Sequence, residues 1–156
     1  MEVAYLETPI GYAEFKGDKN GLAAVSVLEE KIPLGTVPQV LEDAVRQFQE
    51  YFEGNRTQFD LKLNPSGTPF QQKVWTALQE VPFGKTLSYL ALSKRLGDPK
   101  AIRAVAAANG KNPLWIVVPC HRIIGSNGDL VGYAGGLHRK KWLLGHESPS
   151  PQQSLF

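Results

Sequence analysis

Residues 88–110 have the sequence SYLALSKRLGDPKAIRAVAAANG, which predicts two short helices separated by a tight turn. Ser88 has a side chain suited to capping the first helix, and Gly97 is suited to ending it. Asp98, followed by proline, restarts a helix that ends near Asn109. Two short helices joined by a glycine-containing turn are typical of a helix-turn-helix.

The second helix of this pattern is slim. Arg103 is its one long basic side chain, and small residues occupy most other positions: Ala101, Ala104, Ala106, Ala107 and Ala108. Such a helix can approach the backbone of a binding partner closely. It can equally pack tightly against a neighbouring helix of the same protein, so composition alone leaves both interpretations open.

Charge is distributed unevenly along the chain. The net charge of the 156 residues is only +2. Residues 1–64 nevertheless carry six Lys or Arg against eleven Asp or Glu, whereas residues 85–146 carry ten against two. A basic half of this kind predicts a polyanionic partner, the alternative being a chance partition of surface charge.

Composition excludes several classes of protein. A hydrophobic content of 42% indicates a folded core. No apolar run approaches the ~18–20 residues of a membrane span, and no secretory signal is visible, so we expect a cytoplasmic protein without a membrane partner. The single cysteine, Cys120, cannot form an internal disulfide or a cysteine-rich zinc site.

The first third of the chain predicts a small domain of sheet and helix over residues 1–65. An amphipathic helix starting at Val40 is expected to end near Gly54, because apolar residues recur at three- and four-residue spacing. Alternating or turn-bounded apolar runs predict the strands, at residues 4–6, 11–15, 22–28 and 59–63.

The remainder, residues 66–156, predicts a mostly helical domain, so that the fold class is α+β. Its first helix has a capping sequence at Thr68, and its last helix spans Leu137–His146 with a buried stripe at residues 142–144. Residues 114–118 predict a short buried strand. The helix-turn-helix in this domain is expected to be of the winged-helix-like type.

The motif Pro119-Cys120-His121-Arg122 follows that apolar run. The neighbouring histidine and arginine make its setting electropositive, which predicts a lowered thiol pKa and a nucleophilic thiolate. The alternative for a lone cysteine is that it only packs in the core and is inert. In an extended chain, Cys120 and His121 would point to opposite faces, so either the backbone turns or a group such as water bridges them. A histidine base also needs an orienting acid, for which Glu147 is the best candidate.

These motifs resemble, in order, the signature of the O6-alkylguanine-DNA alkyltransferases, also called methylated-DNA--protein-cysteine methyltransferases. The resemblance covers approximately residues 66–147. The matching segments are Phe70…Val74-Trp75, Pro82-Phe83-Gly84, Ser88-Tyr89, Arg103-Ala104-Val105, Asn112-Pro113, Val117-Val118-Pro119-Cys120-His121-Arg122-Ile123-Ile124, Gly132-Tyr133-Ala134-Gly135-Gly136, Trp142-Leu143-Leu144 and His146-Glu147.

The resemblance implies direct reversal of DNA damage. The family moves an alkyl group from O6 of guanine in duplex DNA to a cysteine, irreversibly and once per molecule, with O4 of thymine as a second candidate site. The nucleotide is flipped out of the stack by a helix-turn-helix that lies in the minor groove. The implied partner is double-stranded DNA, bound by a monomer at the nucleoid without a cofactor.

The resemblance also implies roles for individual residues. Cys120 would accept the alkyl group, His121 would deprotonate it through a water molecule, and Glu147 would orient His121. Asn112 would hold the active-site turn by hydrogen bonds, and Tyr133 would donate to the base. Further contacts to the base are implied for the Ala134 backbone N–H, the carbonyls of Cys120 and Ile123, and Pro119.

On the DNA side, the resemblance implies that Arg103 fills the vacated stack and that Tyr89 crowds the phosphate 3′ to the target. The other implied DNA contacts are Ala104, Lys100, Lys111, Ser126, Arg122 and Lys140. For each single lysine, a solvated surface charge is the alternative.

The sequence also departs from the family pattern. Some members hold a structural zinc with N-terminal cysteines, which this chain lacks, so we expect no metal. Ala106-Ala107 replaces a Gly-Gly pair, Gly110 replaces a second basic residue, and Trp115 replaces smaller side chains, which bears on DNA affinity and pocket width. The competing functions are a non-catalytic binder of alkylated DNA, a helix-turn-helix regulator and a cysteine hydrolase.

Overall fold

The computed structural model describes residues 1–128, 133 and 135–148. Contacts divide the chain into two compact units. The first comprises Met1–Ser66 together with Pro113–Trp115, and the second comprises Gly67–Asn112 together with Ile116–Phe156. The α+β fold class expected from the sequence is confirmed.

The first unit is built on a three-stranded antiparallel sheet in the order of the chain. Its strands are β1 (Glu2–Thr8), β2 (Gly11–Asp18) and β3 (Gly21–Leu28). The turn before β3 requires glycine, because Gly21 has φ of +131° and an added Cβ would lie 2.9 Å from the Lys62 carbonyl oxygen.

Helix α1 (Glu42–Phe52) supplies most of the aromatic core of this unit. Phe48 and Tyr51 are fully buried, and the Phe48 ring meets that of Phe15 edge to face at 4.8 Å. The helix ends at Phe52, two residues before Gly54, whose φ is +83°. The expected amphipathic helix and its glycine stop are therefore confirmed.

The prediction of a strand at residues 59–63 is wrong. Leu63 makes a single parallel bridge with Leu22. The backbone of Asp60 forms its hydrogen bonds with a side chain and not with a neighbouring strand. Gln47 of α1 donates from Nε2 to the Asp60 carbonyl at 3.0 Å and accepts from the Asp60 N–H at 2.8 Å. This amide satisfies the backbone groups that a neighbouring strand would have satisfied.

The strand expected at residues 114–118 is also wrong. Leu114 makes one bridge with Val25, after which Ile116 turns the chain with φ of +71°, an uncommon value for a β-branched residue. Trp115 packs near Phe48 and Phe52, with ring centroids 6.5 and 6.3 Å away. It therefore belongs to the aromatic core of the first unit.

The second unit contains four helices and one pair of short strands among its described residues. The helices are α2 (Pro69–Leu78), α3 (Tyr89–Arg95), α4 (Ile102–Gly110) and α5 (Leu137–His146). The caps expected from the sequence are present: Thr68 accepts from the Gln71 N–H at 3.1 Å, and Ser88 accepts from the Ala91 N–H at 3.0 Å. Gly97 separates α3 from the next turn with φ of +86°.

The face of α4 that packs inside the second unit is narrow. Val105, Ala108 and Asn109 are buried, and the indole N–H of Trp75 on α2 donates to the Ala108 carbonyl at 2.8 Å. The other small side chains of the helix do not serve this contact, since three of them are exposed: Ala104, Ala106 and Ala107. Internal packing therefore does not account for the slim face.

A two-residue parallel pair joins the helix-turn-helix to the cysteine motif. Strand β4 (Leu87–Ser88), directly before α3, pairs with β5 (Ile123–Ile124). The sequence does not predict this pair, because neither segment is long enough to show alternation. None of the helices within the described ranges is long and apolar enough to cross a membrane.

Candidate active site

The backbone turns sharply at the cysteine. Pro119 has φ of −81° and ψ of 64°, the values of an inverse γ-turn, and the Cys120 N–H donates to the Val118 carbonyl at 2.8 Å. A 3-10 turn over Cys120–Arg122 follows. Of the two arrangements left open by the sequence, the backbone turn is therefore present, and Cys120 and His121 do not lie along an extended chain.

Asn112 fixes this turn from outside it. Its Nδ2 donates to the Val118 carbonyl at 2.7 Å, so one carbonyl receives both the side chain of Asn112 and the N–H of Cys120. Asn112 follows α4 by two residues, which connects the end of that helix to the turn that carries the cysteine.

Cys120 is buried, with 7% of its surface exposed. Burial raises the pKa of its thiol, and this effect outweighs interactions with Asn112, Lys140 and Tyr133 that act in the opposite direction. The lowered thiol pKa expected from the sequence is wrong, because the local motif does not reveal the cost of ionising sulfur in the interior. The resting sulfur is a protonated thiol that requires a base.

His121 and Glu147 form a fully buried pair. Nε2 of His121 lies 2.8 Å from Oε2 of Glu147, and the two side chains are 0% and 1% exposed. Burial lowers the pKa of His121. Burial acts to raise the pKa of Glu147, but its hydrogen bonds to His121 and Arg122, together with the charge of Arg122, prevail and hold it at about 2.

These protonation states fix the tautomer of the histidine. An ionised carboxylate only accepts hydrogen bonds, so the neutral imidazole donates from Nε2 and keeps its lone pair on Nδ1. Nδ1 is buried and has no hydrogen-bond partner among the described residues. The ring atom able to accept a proton is therefore Nδ1.

Arg122 points into the protein. Its guanidinium donates to Glu147 through Nε at 2.8 Å and Nη2 at 3.0 Å, and through Nη1 to the Val81 carbonyl at 2.7 Å. With 6% of its surface exposed, this side chain is not available to a phosphate. The expectation that Arg122 contacts DNA is therefore corrected, because the buried carboxylate of Glu147 engages it.

The expectation that Lys140 contacts DNA is also corrected. It is fully buried, and its Nζ donates to the Ile123 carbonyl at 2.6 Å instead of facing solvent. Lys140 and Leu143 on α5 and Glu147 directly after it are spaced three and four residues apart, and all three are buried. The expected stripe at residues 142–144 is buried only at Leu143, because charged groups with internal partners occupy the rest of that face.

The residues expected to bind the base differ in burial and in their hydrogen-bond partners. Tyr133 is half-buried, and Pro119 is buried. The Ile123 carbonyl accepts from Nζ of Lys140 at 2.6 Å. Ala134 lies outside the described residues. Arg139, which the sequence reasoning missed, donates from Nη1 to the Gly135 carbonyl at 2.8 Å and so fixes the turn between Tyr133 and α5.

The helix-turn-helix presents most of its candidate DNA contacts to solvent. The exposed candidates are Lys100, Arg103, Ala104 and Lys111, together with Ser126 in the loop after β5. Tyr89 is half-buried and its hydroxyl accepts from Nδ2 of Asn109 at 3.4 Å. Burial raises the pKa of Tyr89.

Two further contributors to the site gave no signal in the sequence. The Val81 carbonyl holds Arg122, and the β4–β5 pair sets the position of Ile123 relative to α3. Both are backbone features, and residue types do not encode them. No cluster of three or more metal-ligating side chains occurs in the described part of the chain.

Comparisons with known proteins agree over the whole chain. Residues 69–149 match the family model described as "6-O-methylguanine DNA methyltransferase, DNA binding domain", and residues 1–65 match the model described as "6-O-methylguanine DNA methyltransferase, ribonuclease-like domain". A methylated-DNA--protein-cysteine methyltransferase of Methanosarcina acetivorans is 46% identical over 150 residues, covering 92% of this chain and 96% of the relative.

Two mycobacterial proteins extend the comparison. The methylated-DNA--protein-cysteine methyltransferase of Mycolicibacterium paratuberculosis is 40% identical over 160 residues, covering 99% of this chain and 97% of the relative. The structure of Mycobacterium tuberculosis OGT in complex with DNA is 38% identical, covers 100% of both chains and has a TM-score of 0.86. The chain therefore belongs to the 6-O-methylguanine DNA methyltransferase family.

Proposed function

We propose that this chain repairs DNA directly, by moving an alkyl group from O6 of guanine in duplex DNA to Sγ of Cys120. Family membership and relatives named methylated-DNA--protein-cysteine methyltransferases support the activity. The observation that carries the assignment to a residue is the sole cysteine of the chain, held in a buried turn beside a histidine that is bound to an ionised carboxylate.

The proposed reaction is a single displacement. The Cys120 thiol gives its proton to Nδ1 of His121 through a water molecule, and Sγ forms a bond to the alkyl carbon. The bond between that carbon and O6 breaks, and its electron pair stays with the guanine, which takes up one proton in place of the alkyl group. In this proposal the alkyl group stays on the sulfur, so each molecule reacts once.

Proton transfer is the step for which the site is best arranged. The raised pKa of the thiol means that no standing thiolate is available, so the reaction depends on a base. A neutral His121 with a free lone pair at Nδ1 suits that role, and Glu147 stabilises the imidazolium that forms.

Recognition of the substrate is proposed from the exposed residues of the helix-turn-helix. Arg103 would enter the stack as the target base leaves it, and Tyr89 would press on the neighbouring phosphate. Tyr133, the Ala134 backbone and the carbonyls at Cys120 and Ile123 would then bind the flipped guanine. The relative solved in complex with DNA supports a DNA partner.

The same proposal gives the two domains different roles. Residues 66–156 would bind DNA and accept the alkyl group, and residues 1–65 would serve as a scaffold. A single chain holds every proposed site residue, which supports action as a monomer. A chromosomal substrate would place the protein in the cytoplasm at the nucleoid.

Intact-mass analysis tests the proposed function. The protein is incubated with duplex DNA bearing one O6-methylguanine, and a gain of one methyl per molecule is expected on the peptide that contains Cys120. Cys120→Ala should show no gain and should still bind the damaged duplex. Folded wild-type protein that binds the duplex and gains no mass would instead indicate a non-catalytic binder of alkylated DNA.

A further inference from the structure

Arg122 is tied to Glu147 and to the backbone by every nitrogen of its guanidinium. The two bonds to the carboxylate form the parallel fork that gives arginine its selectivity for carboxylates, and Nη1 is taken by the Val81 carbonyl. The guanidinium carbon also lies 5.9 Å from the ring centre of Phe83. A lysine could supply the charge in this position but could not reproduce the fork.

The same carboxylate serves His121. Oε2 of Glu147 accepts from both Nε2 of His121 and Nη2 of Arg122, so the three side chains share one buried acceptor. With Arg122 positive and Glu147 negative, the formal charge of the cluster is zero when the imidazole is neutral. Adding a proton to His121 would create a net charge among side chains that are buried, which is costly.

The groups that act on His121 come from two elements. Glu147, at the end of α5, favours the imidazolium, whereas Arg122, in the same turn as His121, and Lys140, on α5, disfavour it. Burial lowers the pKa of His121 more than any of these charges changes it. Removing Arg122 would take away one of the two positive charges that oppose Glu147 beside the ring.

We propose that Arg122 is a positioning residue that keeps His121 an uncharged base, by neutralising Glu147 and holding its carboxylate against Nε2. The inference rests on the proposed function, in which His121 receives the Cys120 proton. Without Arg122, the His121–Glu147 pair takes up a proton at a higher pH than it does in the intact cluster. That proton occupies the position that the thiol proton needs, so transfer slows.

The test separates this charge effect from DNA binding and from simple support of the fold. The rate of benzyl transfer from free O6-benzylguanine to Cys120 is measured across the pH range in which imidazoles titrate. The variants are Arg122→Met, Arg122→Lys and the double variant Arg122→Met/Glu147→Gln. In parallel, the His121 ring is titrated by NMR, which requires no transfer and so reports on Arg122 even if the proposed function fails.

For Arg122→Met we expect the midpoint of the acidic limb to move up by about one pH unit, equivalent to about 1.4 kcal/mol, so that the rate on that limb falls about tenfold below wild type and the loss is smaller at neutral pH. Arg122→Lys should keep a midpoint close to that of wild type, and the double variant should not raise it, because neither leaves an unbalanced buried carboxylate. The NMR midpoint of His121 should move in the same way.

Three results would overturn the proposal. One is a rate that falls equally at every pH while both midpoints stay unchanged, which indicates mere structural support. Another is transfer by Arg122→Met at the wild-type rate with an unchanged midpoint, which indicates that Arg122 does not act on the base. If Arg122→Met does not fold, the other two variants decide, and a raised midpoint in either one contradicts the proposed charge balance.

Discussion

Nζ of Lys140 donates to the backbone carbonyl of Ile123 at 2.6 Å from a position with no exposed surface. Burial lowers the pKa of Lys140, while the charge of a Cys120 thiolate acts to raise it, so the ammonium and the sulfur are electrostatically linked. An exposed lysine would be free to meet DNA, whereas this one stabilises the turn that carries the reactive group.

Lys140→Met should therefore slow alkyl transfer and leave the affinity for DNA almost unchanged. Losing a charge-assisted hydrogen bond costs about 1.5–3 kcal/mol, so we expect transfer from O6-benzylguanine to slow by roughly tenfold or more. Affinity for undamaged duplex should stay within about twofold.

Lys111→Met is the matched control, because Lys111 is exposed just beyond α4. That substitution should instead weaken duplex binding and reduce the salt dependence of binding by about one unit of slope. Equal effects of the two substitutions on duplex affinity would contradict the internal role of Lys140.

Arg103→Ala should separate extrusion of the base from the chemistry. Arg103 is exposed on α4, so the substitution removes no internal contact. Since unstacking a base costs a few kcal/mol, we expect transfer from a methylated duplex to slow by about tenfold or more, with little change for free O6-benzylguanine. Arg95→Ala, on the exposed end of α3, serves as the control, and parallel losses on both substrates would exclude the extrusion role.

Glu147 should make folding sensitive to acid. Its pKa in the folded protein is about 2, against an ordinary value of 4.5. A depressed carboxyl pKa contributes stability above the unfolded value, and that contribution, on the order of 3 kcal/mol, is lost as the pH falls from about 4.5 towards 2.

Urea unfolding at a series of pH values measures this contribution. The wild type should lose stability over that interval, and Glu147→Gln should show a flatter profile there, starting from a lower stability at neutral pH. His121, whose folded pKa is also depressed by burial, should add a loss below its ordinary value of 6.5. An unchanged slope in Glu147→Gln would show that the carboxylate is not the responsible group.

Gly110→Arg should strengthen DNA binding. Gly110 ends α4, is exposed, and leaves an added Cβ with no atom within 4 Å. A cation at this helix end is favoured by about 0.3–1 kcal/mol from the helix dipole, and a new phosphate contact would steepen the salt dependence of binding by about one unit. Gly110→Ala provides the gain in helix propensity without the charge, so an equal effect of Ala and Arg on duplex affinity would exclude a phosphate contact.

Local signals in the sequence predicted most of the helices. Capping residues, a glycine stop and apolar spacing located α2, α3 and α5 because these features act within a few residues of the chain. The two strand predictions were wrong because distant contacts and backbone conformation decide the structure of those segments. The groups that satisfy Asp60 come from Gln47 on α1, and the run after Leu114 is ended by the backbone conformation of Ile116.

The sequence alone determined the chemistry available at the site, since a lone cysteine beside histidine and arginine can be recognised from residue types and spacing. Tertiary structure decided how those groups are charged and which way they face. The thiol pKa is raised and not lowered, and Arg122 and Lys140 point inward and not at DNA. Burial and long-range hydrogen bonds control ionisation and orientation, and both arise only when α5 brings Lys140 and Glu147 to the cysteine turn.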